Sequence, residues 1–348
     1  MSKPTIFDVA KVAGVSIKTV SRVVNNEPNV RASTRERVEN AIAVLKYRPD
    51  QSARSLASRR SHLISLIYDD PAAYDMPSGG YILDLQQGAL KGCRSAFSEL
   101  LIHPCDFRKK KVGIELKELI EQTRPAGIIV AAPLSNMSTI VGAIDATGTP
   151  CVRLSPGNGS DKKHSVSTND REVSAEMTRY LAGLGHRRIA FIRGDPAHKA
   201  VAKRFLGYKD GLKESGLEFS ESLVATGDNS FGSGEVCAEK LLKGKKPPTA
   251  IFAANDDMAA GVLRVANRLK IDVPGQLSLA GFDDIALARL LEPALTTIRQ
   301  PLVQMAERAV LMLTKNNDDD LEGNGDEVIP ATIKIRESTG PAPKGISK

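Results

Sequence analysis

At 348 residues the chain exceeds one ordinary domain and suits a small module joined to a larger body. Hydrophobic residues make up 41%, no run of about 18 apolar residues occurs to span a membrane as a helix, and the N-terminal MSKPTIFDVAKVAG lacks the apolar core of a signal peptide, so a cytoplasmic location is expected. The net charge of +7 lies wholly in residues 1–60, which hold 12 Lys/Arg against 5 Asp/Glu and leave 36 of each sign in the remainder. A basic module on a neutral body is the electrostatic footprint of a nucleic-acid binder. Cys93, Cys105, Cys151 and Cys237 are far apart without a CxxC pair and the histidines are dispersed, so a disulfide framework, a metal site and a cofactor are not expected.

The first predicted element starts at Thr5-Ile6-Phe7-Asp8, an S/T-x-x-acid helix start, and continues with Ile6, Val9, Ala10 and Ala13 at helical spacing. Gly14 can take the left-handed conformation that ends it, and Ser16 can cap a second helix two residues later, which gives a helix-turn-helix. In that second helix Val20, Val23 and Val24 point inward, while Lys18, Ser21, Arg22 and Asn25 form a polar outer stripe. Ser33-Thr34-Arg35-Glu36 reads as a capping box for a third helix, whose Val38, Ala41, Ile42 and Leu45 close the small core. In such a module the second helix enters the major groove. Lys18 and Arg22 can donate to guanine O6 and N7, and Ile17 can contact a thymine methyl. Thr5, Ser16, Thr19, Ser21, Asn25 and Arg35 suit phosphate or sugar contacts.

Residues 49–61, YRPDQSARSLASRRS in context, read as a linker with nascent helicity, polar except at Ala53, Leu56 and Ala57. From residue 62 short apolar runs alternate with helical stretches: HLISLIYDD, AGIIVAAP, TPCVRLS, RRIAFIRG, TAIFAAND and LSLAGFDD. This alternation predicts an α/β body with buried parallel strands. Phosphate loops of the GxGxxG or GxxxxGK[ST] type are absent and no Ser/His/Asp arrangement stands out, so no enzymatic activity is expected. Several strands end in polar residues: Asp69-Asp70, Ser155, Arg193-Gly194-Asp195, Asn255-Asp256 and Asp283-Asp284. A lone acid after a strand reads best as a helix cap; together these ends can line one cleft beyond the strands' carboxyl ends, with the Arg of KRFLGY completing a polyol site.

TIFDVAKVAGVSIKTVSRVVNN, then VRASTRERVENAIAVLKYRPDQSARSLASRRS, closely resembles the N-terminal signature of the LacI-type (lactose and galactose repressor) family of bacterial transcription regulators. LGHRRIAFIRG, KRFLGYKDGL, IFAANDDMAAGVL, LSLAGFDD and LTTIRQP resemble that family's effector domain, itself similar to periplasmic sugar-binding proteins. The resemblance implies an N-terminal all-α helix-turn-helix module (1–48) with a hinge helix (49–61), followed by a two-lobed α/β periplasmic-binding-protein-like domain (62–340). Lobe 1 would span about 62–165 and 299–330, lobe 2 about 166–298, and 341–348 would be a disordered tail. It implies that Ile17, Lys18 and Arg22 read bases, that the hinge helix forms on DNA with Ala53 and Leu56 at the minor groove, and that Tyr81, Ile82, Ser155, His198, Arg204, Asn255 and Asp283 meet the effector. Ser155 replaces an acid that many sugar-responsive members carry, and the DDPAAYDMPSGGY loop before Tyr81 is long. The expected protein is a homodimeric repressor of a palindromic operator with a sugar-like effector. A nucleobase effector is the alternative, as is a sugar-binding protein without regulatory output. No leucine heptads follow the body, so a dimer rather than a tetramer is expected.

Overall fold

Helix α1 (Ile6–Ala13) opens the chain, and the Asp8 carboxylate accepts from both the Thr5 N–H and the Thr5 hydroxyl at 2.8 Å. Gly14, at φ +63°, turns the chain, and its N–H donates to the Ala10 carbonyl. Helix α2 (Ile17–Val24) begins at once, with the Ser16 hydroxyl accepting from the Thr19 N–H at 3.1 Å. Helix α3 (Ala32–Leu45) starts earlier than the Ser33 capping box suggested. The Arg31 carbonyl takes the first helical hydrogen bonds, from Thr34 and Arg35, and this places Ser33 inside the first turn rather than at the cap. Val9, Ala10, Ala13, Val20, Val23, Val38 and Ala41 form the core of this three-helix unit, with Val24, Ile42 and Leu45 packed against it.

The structure is a computed structural model that describes residues 4–24, 29–47, 61–69, 79–157, 164–314 and 325–344. The chain divides into two units, Met1–His62 and Leu63–Lys348. In the larger unit two six-stranded sheets define two lobes. The first sheet runs in the order β11 (Asp326–Val328), β5 (Ser165–Ser167), β4 (Cys151–Leu154), β3 (Gly127–Val130), β1 (Leu63–Asp69), β2 (Glu99–Cys105), all parallel. The second runs β12 (Thr332–Lys334), β10 (Thr296–Arg299), β9 (Ser278–Asp283), β8 (Ala250–Ala253), β6 (Ile189–Arg193), β7 (Val224–Thr226), parallel except for β12. Strands such as GIIV and AIFA are apolar throughout because both faces are covered by helices.

The chain passes between lobes three times: between β5 and α7 (Asp170–Gly183), between β10 and α12 (Leu302–Thr314), and between β11 and β12. The strands set the lobe bounds slightly differently from the expected division: β5 keeps Val166 and Ser167 in the first lobe. β10 keeps Arg299 in the second lobe, and β12, which that division assigned to neither lobe, returns to the second sheet. Part of the expected tail is also ordered. The Ala342 N–H donates to the Leu184 carbonyl at 2.9 Å, and the buried His186 ring meets the Gly340 carbonyl at 3.1 Å. Among the described residues no helix is long and apolar enough to cross a membrane.

Helix α4 (Gly80–Ser95) packs face to face with α12 in the first lobe. The approach is close enough that a Cβ on Gly88 would lie 2.2 Å from the Val303 carbonyl oxygen. Backbone cannot swing aside as a side chain can, so Gly88→Ala is expected to destabilise the body by about 1–3 kcal/mol. Denaturant unfolding checks this, and a variant as stable as the parent would contradict the packing.

Candidate functional site

The smaller unit carries the basic face. Ile17, Lys18 and Arg22 are exposed on α2, opposite the buried Val20 and Val23, and Ile17 is 40% accessible although it is aliphatic. Ser16 and Thr19, expected to meet the DNA backbone, lie with their hydroxyls 2.9 Å apart at the start of α2, and Ser21 and Arg35 are partly buried. Thr5 is exposed and its hydroxyl donates to Asp8. Asn25, Ala53 and Leu56 lie outside the described residues. An exposed helix with an aliphatic tip flanked by an ammonium and a guanidinium can read base edges in the major groove, where those donors meet guanine acceptors.

In the larger unit a cavity of about 810 Å³, counting its open mouth, lies between the lobes at the carboxyl ends of the strands. Asp69 closes β1 and Asp283 closes β9; Asp195 follows β6, and Asn255 with Asp257 follow β8. The first lobe contributes Tyr81 and Ile82 from the start of α4. The second contributes His198 and Arg204, which head and line helix α8 (Lys199–Glu214). Six of the seven residues expected at the effector thus meet in one cavity. Ser155 is the exception: it follows β4 at φ +49°, is buried with its hydroxyl unpartnered, and does not line the cavity. Its N–H donates to the Val166 carbonyl at 2.9 Å.

Arg204 organises the wall. Its Nε donates to Asp170 at 2.9 Å, and its Nη1 donates to the Ala254 carbonyl at 2.6 Å and to Asp283 at 3.4 Å. The guanidinium lies 3.7 Å over the Phe282 ring, so it is fixed in plane as well as in position. Gln300 Nε2 donates to the same Asp283 oxygen at 2.6 Å. Asn255 has both of the roles weighed from sequence: its Oδ1 accepts from Met258 N–H at 3.0 Å as the cap of helix α10 (Asp256–Arg268), and it faces the cavity. Its Nδ2 donates to the Asn229 carbonyl, so the side chain is preorganised.

The electrostatics follow from burial. Asp283 is pushed up to about 7 from 3.8, first by burial and further by Asp257 and Asp170, against the pull of Arg204 and the Gln300 hydrogen bond. His198 is lowered to about 3, first by burial and then by the neighbouring Arg204 charge, so its ring is neutral. Its Nδ1 is buried without a hydrogen-bond partner. Burial, with Asp283 nearby, raises the Tyr81 phenol, which stays protonated. Because the folded pKa of Asp283 exceeds its unfolded value, its contribution to stability is full below the unfolded value and is lost as pH rises through about 7. Asp283→Asn, which does not titrate, is therefore expected to gain melting temperature relative to the parent as pH is raised. A difference that is flat with pH would contradict this.

Asp170, Gln300, Asp257, Asp228 and Asn229 were not singled out from sequence. Gln300 follows β10 directly and obeys the strand-end rule that marked the others. Asp170 lies in the first turn of a helix, which reads locally as an ordinary N-terminal acid.

The whole is a small DNA-reading helical module joined to a two-lobed α/β binding domain. Residues 5–50 match the family model for bacterial regulatory proteins of the lacI family, and residues 178–339 match that for periplasmic binding protein-like domains. Catabolite control protein A of Priestia megaterium is 31% identical over 338 residues, 96% of this chain and 99% of its own. A solved complex of the transcriptional regulator CelR with cellobiose is 27% identical, with a TM-score of 0.73 over 96% of this chain and 99% of that one. The lac repressor dimer bound to operator and the anti-inducer ONPF is 25% identical, with a TM-score of 0.73 over 97% and 100%. The chain belongs to the LacI family: it is a DNA-binding transcription regulator, not an enzyme.

Proposed function

We propose that the protein is a repressor that binds a palindromic operator as a homodimer and that a sugar or sugar derivative in the cleft sets its DNA affinity. Because its target is chromosomal DNA, its place of work is the cytoplasm. The observation that carries the effector reading is the prearranged polar wall of Arg204, Asp283, Asn255 and the unpartnered His198, set against the apolar faces of Tyr81 and Ile82. Fixed acceptors and donors over a small apolar platform suit hydroxyls on a compact ring. CelR in its complex with cellobiose supports the same class. Tyr81 is the one Phe, Tyr or Trp among the described lining residues.

The dimer reading draws on helix α4. Leu83 is 63% and Leu90 41% exposed, seven residues apart on one face, an apolar stripe that a second copy can cover. The same helix presents Tyr81 and Ile82 to the cleft, so a ligand that shifts its N-terminus also shifts the subunit contact. That is linkage between effector and DNA, provided the ligand prefers one arrangement. A thermal-shift screen against mono- and disaccharides, sugar derivatives and nucleobases tests the reading: a ligand at 100 times its Kd adds about 2.7 kcal/mol of stability. A sugar hit that disappears in Asp283→Ala supports it, and a nucleobase hit without a sugar hit overturns it.

A further inference from the structure

Resting on the effector reading above, we propose that Asn136, which lies outside the cavity lining, latches the first lobe to the second by capping helix α8 when a sugar draws the lobes together, and that Gly157 leaves the room through which it reaches. Asn136 ends a short 3-10 turn, Leu134–Asn136, that follows β3 and the lining residues Ala132 and Pro133. Its Oδ1 and Nδ2 are both buried, and neither has a hydrogen-bond partner. A carboxamide carries two donors and an acceptor, and leaving all of them unmet inside a protein is costly. Such a group calls for an arrangement of the chain that satisfies it.

A partner is close at hand. Gly157, at φ +80°, lies just after β4 in the first lobe, and a Cβ built on it would be 3.2 Å from Asn136 Oδ1, 2.5 Å from Lys199 Cβ and 3.4 Å from the Lys199 carbonyl carbon. The carboxamide oxygen and the first residue of α8 therefore meet around one methyl-sized point, with the boundary between the lobes running through it. Helix α8 starts bare: His198 precedes it without a side-chain cap, and the first N–H groups of any helix have no acceptor within it. A carboxamide oxygen is among the best acceptors for that place. The lobes also touch where Gly80, at the head of α4, meets Ile285: a Cβ there would lie 2.8 Å from the Ile285 Cβ. That contact is between carbon atoms, so hydrogen bonding gained on closure falls to the α8 side. Because α8 carries Arg204, which holds Asp283, a cap on its first turn also steadies the cleft wall.

The test pairs thermal melting without sugar with stopped-flow binding of glucose, galactose and cellobiose, on the full-length protein. Asn136→Leu removes an amide that is unpaired in the open arrangement, so without sugar it is expected to melt no lower than the parent. It is nevertheless expected to release a bound sugar about 10-fold faster, with the association rate little changed. Asn136→Asp keeps an acceptor suited to a helix start and is expected to hold sugar within about 3-fold of the parent. A merely structural role would make the buried carboxylate at least as harmful as leucine. Gly157→Ala places a Cβ on the meeting point and is expected to speed release by a similar factor to Asn136→Leu. Release at the parent rate from both Asn136→Leu and Gly157→Ala, weaker binding by Asn136→Asp than by Asn136→Leu, or a lower melting temperature of Asn136→Leu without sugar overturns the latch while the effector reading stands. Failure of all three sugars to bind the parent contradicts the effector reading itself, and the latch falls with it.

Discussion

Arg204→Ala is expected to lower the stability of the body by about 3–5 kcal/mol and to abolish its response to effector. Removing one member of a buried ion network leaves the others as uncompensated charges, and such truncations are costly for that reason rather than for the strength of any one bond. Here the orphans would be Asp170 and Asp283, 3% and 8% exposed at the side chain, with the Ala254 carbonyl losing its donor as well. The deficit has a sign in pH. Without the guanidinium both carboxyls rise further above their unfolded values, and groups so raised lose their contribution as pH climbs. The deficit is therefore expected to be larger at pH 8 than at pH 5 (roughly), because the unfolded chain ionises both groups while the folded one resists. Denaturant unfolding at the two values decides it. A loss below about 1 kcal/mol, flat with pH, would mean that the network does not hold the wall.

Arg22→Ala is expected to weaken operator binding by about 1–3 kcal/mol for each half-site, and a homodimer carries the loss twice. Arg22 is exposed on α2, whereas the core of the unit is made by Val20 and Val23, so the variant is expected to fold as the parent does. The informative readout is the pattern of loss rather than its size. A base-reading guanidinium relaxes discrimination at one position and its symmetry mate, while a phosphate contact weakens all sequences alike. Equal loss on operator and random DNA would remove Arg22 from base reading and leave it as an electrostatic contact.

Much of this architecture was legible in the residues, for reasons that are local. Thr5 with Asp8, Gly14 and Ser16 specify two short helices and the turn between them through contacts within four residues. Ser33 was misleading because a capping motif is necessary but not sufficient: the chain enters its helical conformation at Ala32, and Arg31 supplies the carbonyl. In the cleft, polar residues ending apolar strands marked Asp283 and Asn255, since the end of a buried strand is where an α/β sheet opens to ligand. The same rule marked Ser155, which is buried and does not line the cavity, and missed Asp170, which reaches Arg204 across 34 residues. Pairings of that kind are made by the fold, and no local pattern announces them. The GPAPKGISK end reads as disordered by composition, yet its first residues are pinned through Gly340 to the buried His186, which also meets Thr249 and Ser278 at 2.9 Å.

The most direct test is selection of binding sites for the full-length protein from a random DNA pool, repeated with the effector found by thermal shift. The expected result is an enriched palindrome of two half-sites whose affinity changes by at least about 5-fold when effector is added. Enrichment of no sequence, or of a palindrome whose affinity is indifferent to a ligand that binds the cleft, would contradict a regulator in which the cleft sets the grip on DNA.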